Sequence, residues 1–378
     1  MQELSDRHYH TVISAITSGR IVPFLGAGAN LCDRPDGAAF EEHGPYLPSG
    51  SELAAYLART FGCPPSEDLA RVAQYIALLG GGTGALYQAL RLLFDVNYPP
   101  TLIHKLLAVL PRVLRETGQP PRYQLIVTTN YDDVLERTFH AAREEFDIVS
   151  YVAEGDQRGK FLHWSYVFTP TPKRENQDNL DYQEQVKKER EEFWQRWPPS
   201  VEPRPRLIDI PNEYCGVSID QRPVILKLHG AVDRISPPEM IERLDSFVIT
   251  DDDYIDYLTR SDIANLVPKN VAAKLGNSNF LFLGYSLRDW NLRVILRRIW
   301  GAQKLKWSSW AIQLEPEDLD QIFWLRRDIQ IFNSGLKDYV THVIALLGAE
   351  PYIRQLDDSL EEMENRRGVL ALGTGGRV

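Results

Sequence analysis

The sequence predicts an α/β fold: a doubly wound parallel sheet with helical additions and a charged surface insertion. Three observations predict it. Five short runs are apolar on nearly consecutive positions: IVPFL (21–25), QLIVT (124–128), VILKL (224–228), NFLFL (279–283) and WAIQL (310–314). Such runs suit strands covered on both faces, whereas a sheet with one wet face alternates apolar and polar. Helical patterns separate them, which favours crossover connections and parallel pairing. Glycine or small polar residues follow four of the runs, at the end of the strand where an open α/β sheet binds ligands.

In chain order, the first run is followed by a loop and then by SELAAYLARTF (51–61). Ser49 and Glu52 predict a capping box there, with Leu53, Tyr56, Leu57 and Phe61 on one face. Further helices are expected over 69–79, 85–94 and 102–110. After the second run, YDDVLERTFHAAREEF (131–146) reads as a helix with Asp132 and Asp133 in its first turn, complementing the dipole. Residues 169–222 open with Pro and mixed charge; their middle suits a solvated helix, and Pro198, Pro199, Pro203 and Pro205 break the chain beyond it. From Arg354 an amphipathic helix precedes the frayed tail LGTGGRV. One domain is expected over 1–350, holding a helical subdomain (50–118) and the insertion (169–222), with 351–378 as a terminal helix and tail. No repeat period appears.

The composition is that of a soluble globular chain: 378 residues, 43% hydrophobic and 25% charged. No apolar run approaches the roughly 18 residues of a membrane helix. The start, MQELSDRHYH, lacks the basic-then-apolar layout of a secretion signal, so a cytoplasmic location is expected. Three scattered cysteines (Cys32, Cys63, Cys215) form neither a disulfide framework nor a CxxC zinc motif. A net charge of −10 argues against a dedicated nucleic-acid binder.

Four strand ends carry the chemistry. IVPFLGAGAN (21–30) runs into Gly26, Ala27 and Gly28, with Asn30 beyond. Glycines let backbone N–H groups approach a diphosphate, though glycine after a strand also serves a plain turn. In VTTNYDDVLERTF (127–139), one residue of Thr128, Thr129, Asn130 and Asp132 is explained as an N-cap, and the cluster exceeds that need. VILKLHGAVD (224–233) brings His229 to a strand end. A lone histidine is more often structural, yet an unperturbed pKa of about 6.5 suits general-base work. FLFLGYSLRDWNL (280–292) supplies Gly284, Tyr285 and Ser286, with Asp289 opening a helix; capping is open to Ser286 or Asp289. The dehydrogenase spacing G-x-G-x-x-G fails, because its third glycine falls on Leu31.

These motifs resemble the sirtuin superfamily, specifically its prokaryotic sirtuin-like NAD-consuming branch. GAGAN resembles the first NAD motif, TTNYD the Thr-Gln-Asn-Ile-Asp motif, KLHG the segment of the catalytic histidine, and LGYS the Gly-Thr-Ser stretch at the dinucleotide. The resemblance spans roughly 21–346 apart from the insertion, and implies a Rossmann-like sheet. It implies Gly26, Ala27 and Gly28 at the diphosphate, with Asn30 and Thr129 in the cofactor site. Asn130 would face the nicotinamide ribose, Asp132 the nicotinamide side, and His229 would act as base. Gly284, Tyr285 and Ser286 would hold the adenosine half, with Asp289 beside them.

Three departures shape the expected reaction. The four-cysteine zinc module of deacylating sirtuins cannot be built here, so no metal is expected. The Gly-Ile-Pro-Asp-Phe-Arg continuation is replaced by LCDRPDGAAFEEHGPYLPS (31–49), leaving the residues that close over nicotinamide unassigned. No acyl-lysine groove follows His229. The resemblance thus implies an NAD hydrolase that takes NAD as substrate and releases nicotinamide and ADP-ribose. It further implies an NAD-depleting role in bacterial anti-phage defence, with a HerA-type ATPase or other defence protein as partner. The competing expectation is a non-catalytic NAD or ADP-ribose-binding module that controls assembly. A homo-oligomer is expected from the late aromatic residues Trp290, Trp300, Trp307, Trp310 and Trp324, most of them core.

Overall fold

The computed structural model describes residues 4–118, 123–174, 177–195, 197, 205–234, 244–259, 263–285, 287, 293, 295, 296, 298, 299 and 307–373. The first half contains α1 (Asp6–Thr17), β1 (Ile21–Leu25), α2 (Gly50–Phe61), α3 (Leu69–Leu79), α4 (Gly84–Phe94) and α5 (Leu102–Glu116). β2 (Leu125–Thr128), α6 (Val134–Ala141), β3 (Phe146–Tyr151), β4 (Phe161–Tyr166), α7 (Asn179–Gln195) and β5 (Arg206–Ile208) follow. Then come β6 (Val224–Lys227), β7 (Gly230–Ala231), β8 (Ser246–Phe247), α8 (Asp251–Thr259), α9 (Ile263–Leu266) and α10 (Lys269–Gly276). The chain continues with β9 (Asn279–Leu283), β10 (Ser309–Gln313), α11 (Asp318–Leu325), β11 (Ile329–Asn333), α12 (Leu336–Leu347) and α13 (Glu350–Gly373).

The predicted Rossmann-like, doubly wound α/β architecture is observed. Nine strands form one sheet in the order β11-β10-β9-β1-β2-β6-β3-β4-β5, parallel from β11 to β3 and antiparallel across β3-β4-β5. Alternation along each strand divides two cores. Ile21, Leu25, Ile126, Ile225, Leu281 and Leu283 face α1, α5, α12 and α13. Val22, Phe24, Val127, Leu226, Phe280 and Phe282 face α8 to α11. Because both faces are covered, the strands are apolar throughout, as the sequence pattern required.

Several elements differ from expectation. The helix expected over 131–146 ends at Ala141, and Phe146 already begins β3. Arg143 takes a left-handed backbone (φ 56°) that ends the helix, and Asp147 inside β3 hid a strand from a reading based on apolarity. The helix expected to end at residue 110 continues through Pro111 to Glu116. β3, β4, β5 and β11 complete the sheet but were not foreseen. The capping box is present as expected: the Ser49 side chain accepts from Glu52 N–H, and Glu52 accepts from Ser49 N–H. Within 169–222, α7 is largely exposed, while Phe193 and Trp197 are buried and β5 pairs with β4. Trp310 and Trp324 are core and Trp307 is exposed; Trp290 and Trp300 lie outside the described residues.

Backbone packs closely on backbone at the ends of β1 and β9. Gly284 has φ 70°, and a Cβ there would stand 1.9 Å from Ala29 N and 2.3 Å from Gly28 C. Gly284→Ala therefore combines left-handed strain with a main-chain clash, and should cost on the order of 2 kcal/mol or more. Gly50→Ala, with open space around its added methyl, is the control. Thermal melts of the two variants check this; equal midpoints would show that the loops part freely.

Candidate functional site

Three strand ends meet around β1, where Leu25 is in register with Leu283 on one side and Thr128 on the other. The chain leaves β1 through Gly26 into a short 3₁₀ turn, Ala27–Leu31. Gly26 N–H donates to Leu283 O (3.1 Å), Gly28 N–H to Gly284 O (2.8 Å) and Ala29 N–H to Gly26 O (2.9 Å). Those three amides are satisfied within the chain. A Cβ on Gly26 would lie 2.6 Å from Tyr285 Cδ2, and one on Gly28 would lie 2.7 Å from Gly284 O. The close approach expected of a ligand at this turn is made by residues 284 and 285.

Polar side chains tie the strand ends together. Asn130 donates from its N–H to Thr128 Oγ1 (3.0 Å) and from Nδ2 to Gly26 O (3.2 Å). Thr129 Oγ1 donates to the Tyr285 hydroxyl (3.2 Å). Asn30 is buried and donates from Nδ2 to Asp132 Oδ2 (3.1 Å), while Asp132 Oδ1 accepts from Val134 N–H (3.1 Å). One carboxylate thus holds a helix start and a neighbouring loop together. Among the described residues, Asn30 Oδ1 is buried with no hydrogen-bond partner.

His229 stands just past β6, the strand beside β2, and is 4% exposed. Tyr254 and Tyr257 meet its ring edge-on at 5.4 and 5.9 Å, and its Nε2 is buried with no hydrogen-bond partner among the described residues. Burial lowers its pKa to about 3, so the 6.5 of a free histidine does not apply and the ring is neutral at pH 7. The structure therefore brings Gly26, Ala27, Gly28, Asn30, Thr129, Asn130, Asp132, Gly284 and Tyr285 onto one rim, with His229 at the next strand end. Its side chain makes no hydrogen bond to them. Ser286 and Asp289 lie outside the described residues.

Other residues shape the site without having been foreseen. Arg34 grips Glu52 with its two terminal guanidinium nitrogens and donates from Nε to Ala38 O (2.8 Å). Glu52 also accepts from Phe40 N–H and Ser49 N–H, each at 2.8 Å, so one carboxylate ties down much of the 31–49 loop. The Arg34 guanidinium lowers the Glu52 pKa to about 2. Thr101 donates to Ala29 O (3.0 Å) and contacts His104 Nδ1 at 2.9 Å, bracing the glycine turn from α5. The Thr-x-x-His spacing is the available signal, since it imitates a capping box. Lys227, the one charge inside the apolar run of β6, was also readable as an anomaly.

Among the described residues, no group of three or more His, Cys, Asp and Glu side chains is placed to hold a metal ion. Among them, too, no helix is long and apolar enough to cross a membrane. Residues 208–332 match the SIR2-like domain family. The match takes in β6, His229, β9, β10 and β11, while the glycine turn and the TTNYD segment lie before it. Over that stretch the chain is similar to sirtuin-like proteins, which is consistent with NAD-dependent chemistry. No curated protein matches the chain.

The buried histidines make stability pH-dependent. Burial lowers His8 and His104 to about 4 and His229 to about 3. Below pH 6.5 the unfolded chain takes up protons that the folded chain refuses, so stability falls as pH drops through this range towards 3. Each such group contributes a slope of about 1.4 kcal/mol per pH unit between its two pKa values. Glu52 adds a further loss from about pH 4.5 down to 2, because its ion pair is protonated there. Urea midpoints should drop between pH 7 and pH 5, less steeply for His229→Asn; a flat profile would contradict the burial.

Proposed function

We propose that the chain hydrolyses NAD at the nicotinamide–ribose bond, giving nicotinamide and ADP-ribose. The observation that carries the reading is a pair of buried polar atoms with no hydrogen-bond partner among the described residues, Asn30 Oδ1 and His229 Nε2, beyond the ends of β1 and β6, parallel strands with β2 between them. Atoms of this kind fit a ligand rich in hydroxyl and amide groups. The SIR2-like match over 208–332 supports a dinucleotide as that ligand.

On this reading Asn130 faces the nicotinamide ribose and holds the attacking water. Its amide is already oriented by Gly26 O, so little ordering remains when substrate arrives. Asp132 and Asn30 border the nicotinamide side, and Thr129 and Tyr285 the dinucleotide's other half. His229 Nε2 accepts a hydrogen bond from a ribose hydroxyl or from the water. Nicotinamide leaves as a neutral molecule from a cationic ring and needs no acid. Water adds to the ribose carbon, and its second proton passes to His229 or to solvent. A neutral, buried imidazole suits this better than a charged one, which would repel the developing oxocarbenium.

Through the resemblance alone, the proposal extends to NAD depletion in anti-phage defence beside a HerA-type ATPase. A second reading, a module that binds NAD or ADP-ribose without cleavage, is favoured by the packing of His229 between two tyrosines like an ordinary core residue.

Incubation with NAD, alone and with the product of the adjacent gene, should release nicotinamide. Asn130→Ala and His229→Ala should each lower kcat by about 10²-fold or more. The acid limb of kcat/KM should lie below about pH 5, because the free enzyme's His229 titrates far under 6.5. Binding of NAD without release under either condition would favour the second reading. Full activity in both variants would move the site elsewhere.

A further inference from the structure

Lys227 occupies the last position of β6 and is only 2% exposed. Its Nζ donates to Glu136 Oε1 at 2.7 Å and to the main-chain carbonyl of Asp132 at 2.5 Å. Glu136 is as deeply buried, in the first turn of α6, and burial pushes its carboxyl pKa up. Replacing a buried ion pair with apolar side chains of similar volume is commonly neutral or stabilising. Fold stability is therefore a weak reason for this pair to exist, and its local geometry supplies a better one.

The Asp132 carbonyl belongs to the turn that carries Asn130 and Asp132. Towards β1 and along itself the turn is held by Asn130 to Gly26 O, Asp132 to Asn30, and Asp132 to Val134 N–H, while beyond His229 Tyr131 O accepts from Val232 N–H (3.0 Å) and the Tyr131 hydroxyl donates to Val248 O (2.8 Å). Lys227 adds a side-chain tie to β6 itself, two residues before His229. An ammonium is suited to the task because it donates to two acceptors at once, and Glu136 stands beside it as the carboxyl partner.

We propose that Lys227, neutralised by Glu136, is a positioning residue that sets the Asn130–Asp132 turn against His229 and so fixes the spacing of the two sides of the crevice. This rests on the proposed NAD site. A misplacement of about 1 Å at a reacting centre costs up to about 10²-fold in rate, which gives such a clamp its use.

The test compares wild type with the double variant Lys227→Met/Glu136→Leu, which removes both charges and leaves no buried ion unpaired. Melting within a few degrees of wild type is expected, together with a fall of about tenfold or more in kcat for nicotinamide release and little change in KM. Wild-type kcat in this folded variant would overturn the proposal while leaving the hydrolase reading intact. Should the double variant not fold, Glu136→Gln decides. It keeps the volume but removes the counter-charge, so kcat should fall several-fold, and unchanged kcat would overturn the clamp. Calorimetric ADP-ribose binding separates the two readings. If wild type binds ADP-ribose yet releases no nicotinamide, hydrolysis fails, and the clamp stands if the folded variant binds about tenfold more weakly. Equal affinity there, or no binding by wild type, overturns it.

Discussion

At the ends of β1 and β9 two stretches of main chain lie against each other with no side chain between them. Gly28 donates to Gly284 O, and neither Gly26, Gly28 nor Gly284 has room for a Cβ. This contact joins the two halves of the doubly wound sheet at the point where the strand order changes direction. β2, β6 and β3 extend to one side of β1, and β9, β10 and β11 to the other. These neighbouring strands end together, and the glycines allow them to do so.

Around that contact, adjacent acidic residues do different work. Asp132 faces inward, shared between Asn30 and the α6 N-terminus. Asp133 faces the other way and meets Arg137, Arg234 and Trp197 Nε1, at 3.0, 3.0 and 3.1 Å. Burial alone would raise the Asp133 pKa, but the two guanidiniums outweigh it and hold it below the usual carboxylate value. Arg234 also reaches Asp95 and Asn97, and Trp197 comes from the 169–222 segment. One carboxylate thus ties the helical layer of α2 to α4 and the inserted segment to the strand end, while its neighbour remains directed at the site. The two aspartates are indistinguishable by composition and are separated by one residue's change in direction.

Much of the fold was legible because its signal is local. A strand buried on both faces must be apolar along its length, and β1, β2, β6, β9 and β10 are. The α2 capping box was legible for the same reason, since its partners are three residues apart. β3 was not: its Asp147 is buried against Arg222 Nε (2.9 Å) and His163 Nε2 (3.1 Å), partners far along the chain. Charge in a strand looks like surface until its counter-charge is found.

The sequence by itself determined the class of fold and drew attention to four strand ends, because periodicity and turn residues are properties of short windows. Only the tertiary structure decided what each end does. It assigned much of the glycine requirement at 26 and 28 to packing against 284 and 285, and it turned His229 from a group titrating near 6.5 into a neutral, enclosed imidazole. It also brought Lys227 under the Asp132 carbonyl. Each outcome depends on distance and burial between residues remote in sequence, and those quantities are created only when the chain folds.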